Sequence, residues 1–281
     1  TVTLDHLERM VKDDYAVKGY RTKRHIPLCF RRLREFLGNA KAKDITSIRL
    51  KAYAAKRLEE GKAPATVMLD LALLGKGINI AARDGLIPPR PKGWIPRLRV
   101  DNARQGFFER STLDLILTHL PEDLRGVAVA AYITGWRLKS DLLTREWRHV
   151  DFDEGWLKVL PGEGKTGKPR MFPLTPELRA VLEAQRAYTD AVEREGGKIV
   201  PLVFHRAGKR ITTMVFHWDR ARKAAGVPKA LMHDFRRTAA RDIVRAGKSE
   251  KLAMEMIGIK TEAIFRRNYL VVDEEWLQEA G

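Results

Sequence analysis

The sequence holds a single cysteine, Cys29. One thiol excludes internal disulfides and any zinc site built on cysteine pairs, and it fits a reducing cytoplasm. Histidine is sparse too, with seven residues scattered so that no H-x-x-x-H pair occurs, which removes the usual helical metal-binding spacing. Separated carboxylates that only folding brings together stay open as metal ligands. A G-x-x-x-x-G-K-[ST] phosphate loop is missing: "GEGKTGK" has the lysine without the strand–loop–helix context. A G-x-S-x-G nucleophile elbow is missing as well. The longest uninterrupted apolar run, "VAVAAYITGW", has about half the length of a membrane helix. The N-terminus, "TVTLDHLERMVKDDY", is charged throughout, so it does not read as a signal peptide. A soluble protein without a membrane partner is expected. The first residue is Thr rather than Met, so residues upstream are expected too.

Acidic residues are in deficit. Lys and Arg number 53 against 36 Asp and Glu, a net charge of +17. Neutralising phosphates releases condensed counterions, so such an excess draws the chain to polyanions. Charge by itself does not separate DNA from ribosomal RNA or an anionic membrane surface. The 44% hydrophobic content over 281 residues suffices for real cores, and the length suggests two domains.

The first third reads as helix only. "HIPLCFRRLREFLG" carries apolar residues at helical spacing and stops at Gly38. "ITSIRLKAYAAKRLEEG" starts at Thr46 as a cap and ends at Gly61. "APATVMLDLALLGKGINIAARDGLI" follows as one long helix or two short ones. This gives a helical domain over residues 1–88. Then "PPRPKGWIPRLRVDNAR" brings four prolines and five basic residues, forbidding helix or central strand. Residues 89–104 read as a basic extended linker, with Arg90, Lys92, Arg97 and Arg99 as candidate phosphate contacts. Residues 105–281 mix classes. A buried helix ends at Gly135; two short strands flank a Gly- and Lys-rich turn in "GWLKVLPGEGKTGKPRMFPLT"; helices follow, the last at "DEEWLQEA". The expected fold is α+β, mostly α: a helical domain followed by a mixed domain with a small β-hairpin or sheet and a C-terminal tail helix.

A polyanion-binding chain without metal ligands can still carry phosphoryl chemistry. Negative charge on a pentacoordinate phosphate must then be met by fixed cations, and arginine's planar fork binds two oxygens at once. A covalent route adds a nucleophile, a general acid for the leaving oxygen and a group that handles the nucleophile's proton. The second part offers such a set. "TGWR" supplies Arg137, "GKTGKPR" supplies Lys165, "HDFR" supplies His233 and Arg236 one helical turn apart, and "FRRNY" supplies Tyr269. Bland alternatives stand beside each. Tyr269 is then a packing tyrosine, His233 a capping or core histidine, and Lys168 the acid in place of Lys165. Arg237, next to Arg236, and Lys168, on the hairpin turn, are further candidate DNA contacts.

The ordered set T-G-x-R, K-x-G-K-x-R-x-x-P-L, H-D-x-R-R-T and a late Tyr resembles the tyrosine recombinase (phage integrase) family. The resemblance implies a core-binding domain followed by a catalytic domain, gripping duplex DNA as a clamp with the linker crossing the backbone. It further implies that Arg137 and Arg236 hold the scissile phosphate and that Lys165 protonates the leaving 5′-oxygen. His233 would exchange protons, and Tyr269 would attack to give a 3′-phosphotyrosine. No cofactor is implied. The partners would be double-stranded DNA, further copies of the chain in a tetramer on paired sites, and DNA-bending accessory proteins, in a bacterial or phage-encoded cytoplasmic setting. An arm-binding domain upstream is compatible with this reading.

Two positions depart from the family pattern. The acid usual three residues after the first arginine is Ser140 here, with Asp141 next. The His or Trp usual after the glycine before the nucleophile is Ile259 in "MIGIK". Isoleucine fills space but donates no hydrogen bond, and a lost donor of this kind slows chemistry on the order of 10²-fold. Two rivals to recombination therefore stand: a type IB topoisomerase-like relaxing enzyme, and a DNA-binding relative with weakened catalysis.

Overall fold

The computed structural model describes residues 1–20, 23–100 and 107–269. The expected tail helix at "DEEWLQEA" and the last residues of the linker lie outside the described residues. Two compact units divide the chain, Thr1–Asn102 and Ala103–Gly281.

The first unit is built on α1 (Leu4–Val17), α2 (His25–Leu37), α3 (Ser47–Glu59) and α4 (Pro64–Arg83). Local signals set the boundaries. The Thr46 hydroxyl accepts from the Arg49 amide at 3.3 Å and opens α3; Pro64 starts α4, where its missing N–H costs nothing. The stretch read as one helix or two is a single helix. By length and composition α4 could cross a membrane, yet over half of that window, 56%, is buried inside the unit, as the core helix of a small bundle must be. Its Asp70 is fully buried and accepts from Arg32 Nε at 3.0 Å and the Tyr53 hydroxyl at 2.7 Å. One carboxylate thus ties α2, α3 and α4, which keeps a buried charge paired.

The second unit begins with α5 (Arg110–Thr118) and α6 (Glu122–Thr134). A three-stranded antiparallel sheet follows, ordered β1 (Val150–Asp151), β2 (Trp156–Val159) and β3 (Arg170–Pro173). The expected hairpin is β2–β3, with Val159 opposite Arg170; β1 is an addition too short to leave a periodic signal. Then come α7 (Pro176–Gly196), capped by Thr175, and the two-residue hairpin β4 (His205–Arg206) and β5 (Lys209–Arg210). The last described helices are α8 (Val215–Ala224), α9 (Phe235–Arg245), α10 (Glu250–Ile257) and α11 (Glu262–Asn268). The core runs from Phe108 and α6 through Leu157 and Phe172 to Trp218 and Phe235. A smaller cluster of Ala239, Ala240, Ala253, Met254, Ile257 and Phe265 packs α9, α10 and α11 together.

Candidate active site

The site forms where the ends of α6 and α10 meet the start of α9. Gly135 terminates α6 in the left-handed region, φ +60°. A Cβ there would lie 2.8 Å from the Ala239 Cβ and 3.4 Å from the Arg236 Cα, so only glycine lets α9 approach this closely. The approach puts Arg236 against the main chain. Its Nη1 donates to Gly135 O at 2.9 Å and Ile257 O at 2.7 Å, and its Nη2 donates to Gly258 O at 2.9 Å. These carbonyls belong to helix ends, where oxygens lack intrahelical partners. The guanidinium is 2% exposed and stitches two helix termini together. Burial, then the neighbouring Arg137 charge, push its pKa down to about 10, against Tyr269, which raises it. Arg236 stays cationic at neutral pH.

Arg137 follows two residues after the α6 stop, and a π-turn over Leu138–Leu142 follows it. The amide of Leu142 reaches Arg137 O at 3.2 Å and that of Leu143 reaches Leu138 O at 2.8 Å, five residues back instead of four. The extra residue accounts for the first departure from the family pattern. Widening the turn by one position lets Asp141, rather than residue 140, face inward. Asp141 is fully buried, accepts from the Arg137 amide at 3.1 Å and the Ser140 hydroxyl at 2.8 Å, and lies 3.7 Å from Arg137 Nη1.

Asp141 also pairs with a residue the sequence reading did not single out for the site. Arg170, at the start of β3, is an ion-pair partner of Asp141 and sits over the Trp136 ring at 4.9 Å. Its side chain is 4% exposed, and burial, the largest influence, lowers its pKa. A signal was present: Arg170 and Phe172 alternate on the inward face of the strand, and a buried arginine requires a buried acid.

His233 belongs to the 3₁₀ turn Met232–Asp234, which runs directly into α9 at Phe235. Side chains three apart in such a turn eclipse, so His233 and Arg236 lie toward the same side, with His233 just ahead of the α-helix proper. The Asp234 carboxylate accepts from the Leu231 amide at 3.1 Å and closes the turn. His233 opens to solvent, while the protein around it, then the charges of Arg236, Arg137 and Lys165, lower its pKa, opposed by Asp234. In the free protein His233 is accordingly neutral at pH 7. For the proton-exchanging role that the resemblance implies, the rate of covalent attack should then hold until the pH falls below about 6.5 and decline beyond it, and His233→Asn should remove that decline. The same shift makes the unfolded chain bind the proton first, so this group withdraws stability as pH falls through 6.5. A pH–rate profile of adduct formation checks the point; an apparent pKa above 6.5 assigned to His233 would contradict it.

Tyr269 follows α11, its amide bonded to Phe265 O at 2.8 Å. Its ring stacks on the fully buried Phe265, with centroids 6.4 Å apart at 21°, and the Arg236 Cζ lies 5.9 Å from its centroid. Ile259 is half-buried on the same cluster as Tyr269: where a donor was expected, an apolar side chain packs against the tyrosine's support. Lys165 and Lys168 are both exposed in the loop between β2 and β3.

The remaining candidates for DNA contact divide. Lys92, Arg97 and Arg99 are exposed. Arg90 is engaged within its own unit, donating to Ala42 O at 2.7 Å and Lys43 O at 3.3 Å and lying 5.5 Å from the Trp94 ring. Arg237 is corrected outright as a surface contact: it is 3% exposed, with its guanidinium 5.8 Å from the Phe107 ring. Two arginines one residue apart on a helix point to different sides, and Arg236 took the site.

Residues 109–275 match the phage integrase family. The chain is 26% identical over 259 residues to tyrosine recombinase XerC of Corynebacterium efficiens, covering 88% of this chain and 78% of the relative. Among solved structures it resembles a lambda integrase tetramer bound to a Holliday junction, with a TM-score of 0.76 at 21% identity over 98% of this chain and 80% of that one. It also resembles the Tn1549 transposon integrase in complex with a circular intermediate DNA, with a TM-score of 0.78 at 16% identity over 100% of this chain and 98% of that one.

Proposed function

Because the chain belongs to the phage integrase family, we propose that it is a site-specific tyrosine recombinase whose Tyr269 cuts and rejoins duplex DNA through a 3′-phosphotyrosine link. One observation carries this reading: Tyr269 stands beside a buried, immobilised Arg236, and Arg236 acts on His233 together with Arg137 and Lys165. The phenolic oxygen must lose its proton as it attacks, so the step needs a proton acceptor beside it. Arg137 and Arg236 neutralise the equatorial oxygens of the pentacoordinate phosphate. His233 takes the phenolic proton as Oη bonds to phosphorus, and Lys165 gives a proton to the 5′-oxygen as that P–O bond breaks. The link conserves the bond energy, so a 5′-hydroxyl of another strand reverses the step without ATP. Ile259 contributes no donor, and the rate is set by the remaining cations.

Residues 1–88 serve in this reading as a core DNA-binding domain and 105–281 as the catalytic domain. The exposed Lys92, Arg97 and Arg99 of the 89–104 linker hold phosphates. Similarity to a tetramer on a Holliday junction and to a dimer on a core site supports duplex DNA as substrate and further copies of the chain as partners. A single, buried cysteine fits a cytoplasmic setting.

The test is incubation with nicked DNA carrying candidate sites, in chelator, followed by denaturing electrophoresis. A covalent adduct and four-way junctions on paired sites are expected. Relaxation of supercoils by single copies, without junctions, would favour the topoisomerase alternative, and binding without adduct would favour the weakened relative. Affinity should fall steeply with salt, log K running linear in log salt; a flat titration would remove nucleic acid as the main partner.

A further inference from the structure

The loop between β2 and β3 carries Lys165 in the open, and three of its glycines, Gly162, Gly164 and Gly167, have φ between +64° and +81°. Backbone of this kind loses much entropy when ordered, so a lysine that must meet one oxygen needs an anchor close by. Two residues before Lys165, Glu163 turns its side chain back into the body of the unit. Its Oε2 accepts from Arg145 Nη1 at 2.6 Å and from the Leu160 amide at 3.2 Å, and its Oε1 lies 3.1 Å from His149 Nε2. Arg145 and His149 are 2% and 1% exposed. Arg145 is itself fixed: its carbonyl accepts from the Val203 amide at 2.9 Å, its amide bonds Leu142 O at 2.9 Å, and its Nη1 also donates to Lys158 O at 3.1 Å. On the other side, a Cβ on Gly164 would lie 2.8 Å from Asp141 Oδ1, so the backbone just before Lys165 rests on the acid behind Arg137. Burial by itself would raise the Glu163 pKa; the Arg145 hydrogen bond, the Leu160 amide and the His149 charge outweigh it and hold the carboxyl at about 2. The anchor is charged throughout the working pH range.

We propose that Glu163 is a positioning residue for the DNA-cleavage step, docking the glycine-rich loop onto Arg145 and His149 so that Lys165 is held at the leaving 5′-oxygen. The inference rests on Lys165 being the general acid. In the step concerned, Tyr269 Oη bonds to phosphorus, the P–O5′ bond breaks, and the proton on Lys165 Nζ passes to O5′. Loosening the anchor costs alignment of that transfer and leaves the nucleophile and the arginines in place. General acids contribute about 10²–10⁴-fold, so a poorly held acid gives up a fraction of this.

The experiment compares the full chain with Glu163→Gln and Lys165→Ala on two substrates in single-turnover cleavage. One substrate has the natural 5′-oxygen; the other has a bridging 5′-sulfur. A thiol has a pKa of about 8.5, so sulfur leaves as the thiolate and needs no acid. Glu163→Gln should cleave the oxygen substrate roughly 10- to 100-fold more slowly, with DNA affinity close to that of the parent. Its melting midpoint should be lower, because buried Arg145 loses its charged partner; cleavage is therefore compared well below the variant's melting midpoint. Both variants should recover on the sulfur substrate, and Glu163→Asp should recover part of the oxygen rate. A Glu163→Gln chain equally slow on both substrates, while Lys165→Ala recovers, would make Glu163 merely structural and overturn the proposal. A normal rate for Glu163→Gln on oxygen would overturn it too. A Lys165→Ala chain that does not recover on sulfur would overturn the general-acid reading and the inference with it.

Discussion

Tyr269→Phe is expected to abolish covalent DNA adducts while leaving DNA affinity unchanged. The substitution removes one oxygen. The ring keeps its stack on Phe265 and its place beside the Arg236 guanidinium, so the pocket that receives the phosphate is preserved. What disappears is the only atom that can bond to phosphorus in the proposed step, so no partial rate is expected. A filter-binding titration and a denaturing gel, run on the same nicked substrate, separate the two effects. Adducts formed at the parent rate would mean that another residue attacks.

Arg236→Lys is expected to reduce both cleavage and stability. A lysine keeps one positive charge, but its compact ammonium cannot span the oxygens of Gly135, Ile257 and Gly258, which the arginine fork reaches together. At least one buried carbonyl loses its partner, and hydrogen bonds to charged groups contribute about 1.5–3 kcal/mol each. For a unit of this size that corresponds to a melting midpoint lower by roughly 5–10 °C. Cleavage should fall by about 10²–10³-fold, as for removal of an oxyanion donor, and DNA affinity much less. Thermal melting and single-turnover cleavage on one preparation check both. Unchanged melting would contradict the structural role of the three carbonyl contacts, and unchanged cleavage would contradict the catalytic one.

The helical framework was legible because its boundaries are written in local chemistry. Thr46, Thr175 and Ser249 cap helices through their own hydroxyls, and Gly38, Gly135 and Gly258 stop them. Arg137, Lys165, His233, Arg236 and Tyr269 were named from motif order, each motif weak by itself. What stayed hidden depended on tertiary context. The π-turn at Leu138–Leu142 leaves no mark in the sequence beyond the displaced acid, and it turns an apparent defect at Ser140 into a working position for Asp141. β1, β4 and β5 are two residues each, shorter than any alternation can reveal. The 3₁₀ opening of α9, closed by the Asp234 side chain on the Leu231 amide and carrying His233, leaves no periodic signal either. Arg90 and Arg237 looked like surface cations because arginine usually is one; only packing against Trp94 and Phe107 shows otherwise.

Arg170 and Glu163 belong together in this respect. Each sits at one end of the β2–β3 loop, each has its charge met by a buried partner, Asp141 or Arg145, and neither contacts a substrate atom in the proposed step. Polar residues that fasten a loop to a core are spread over distant positions in the chain. Sequence spacing therefore cannot pair them, whereas the folded geometry does so at once.

The central claim is that Tyr269 carries the DNA strand between cutting and rejoining. The most direct measurement is to trap the covalent complex on nicked DNA, digest both protein and DNA, and locate the nucleotide-bearing peptide by mass spectrometry. The account predicts one modified peptide, with the 3′-phosphate ester on Tyr269. An adduct on any other residue, or a 5′-linked nucleotide, would contradict it.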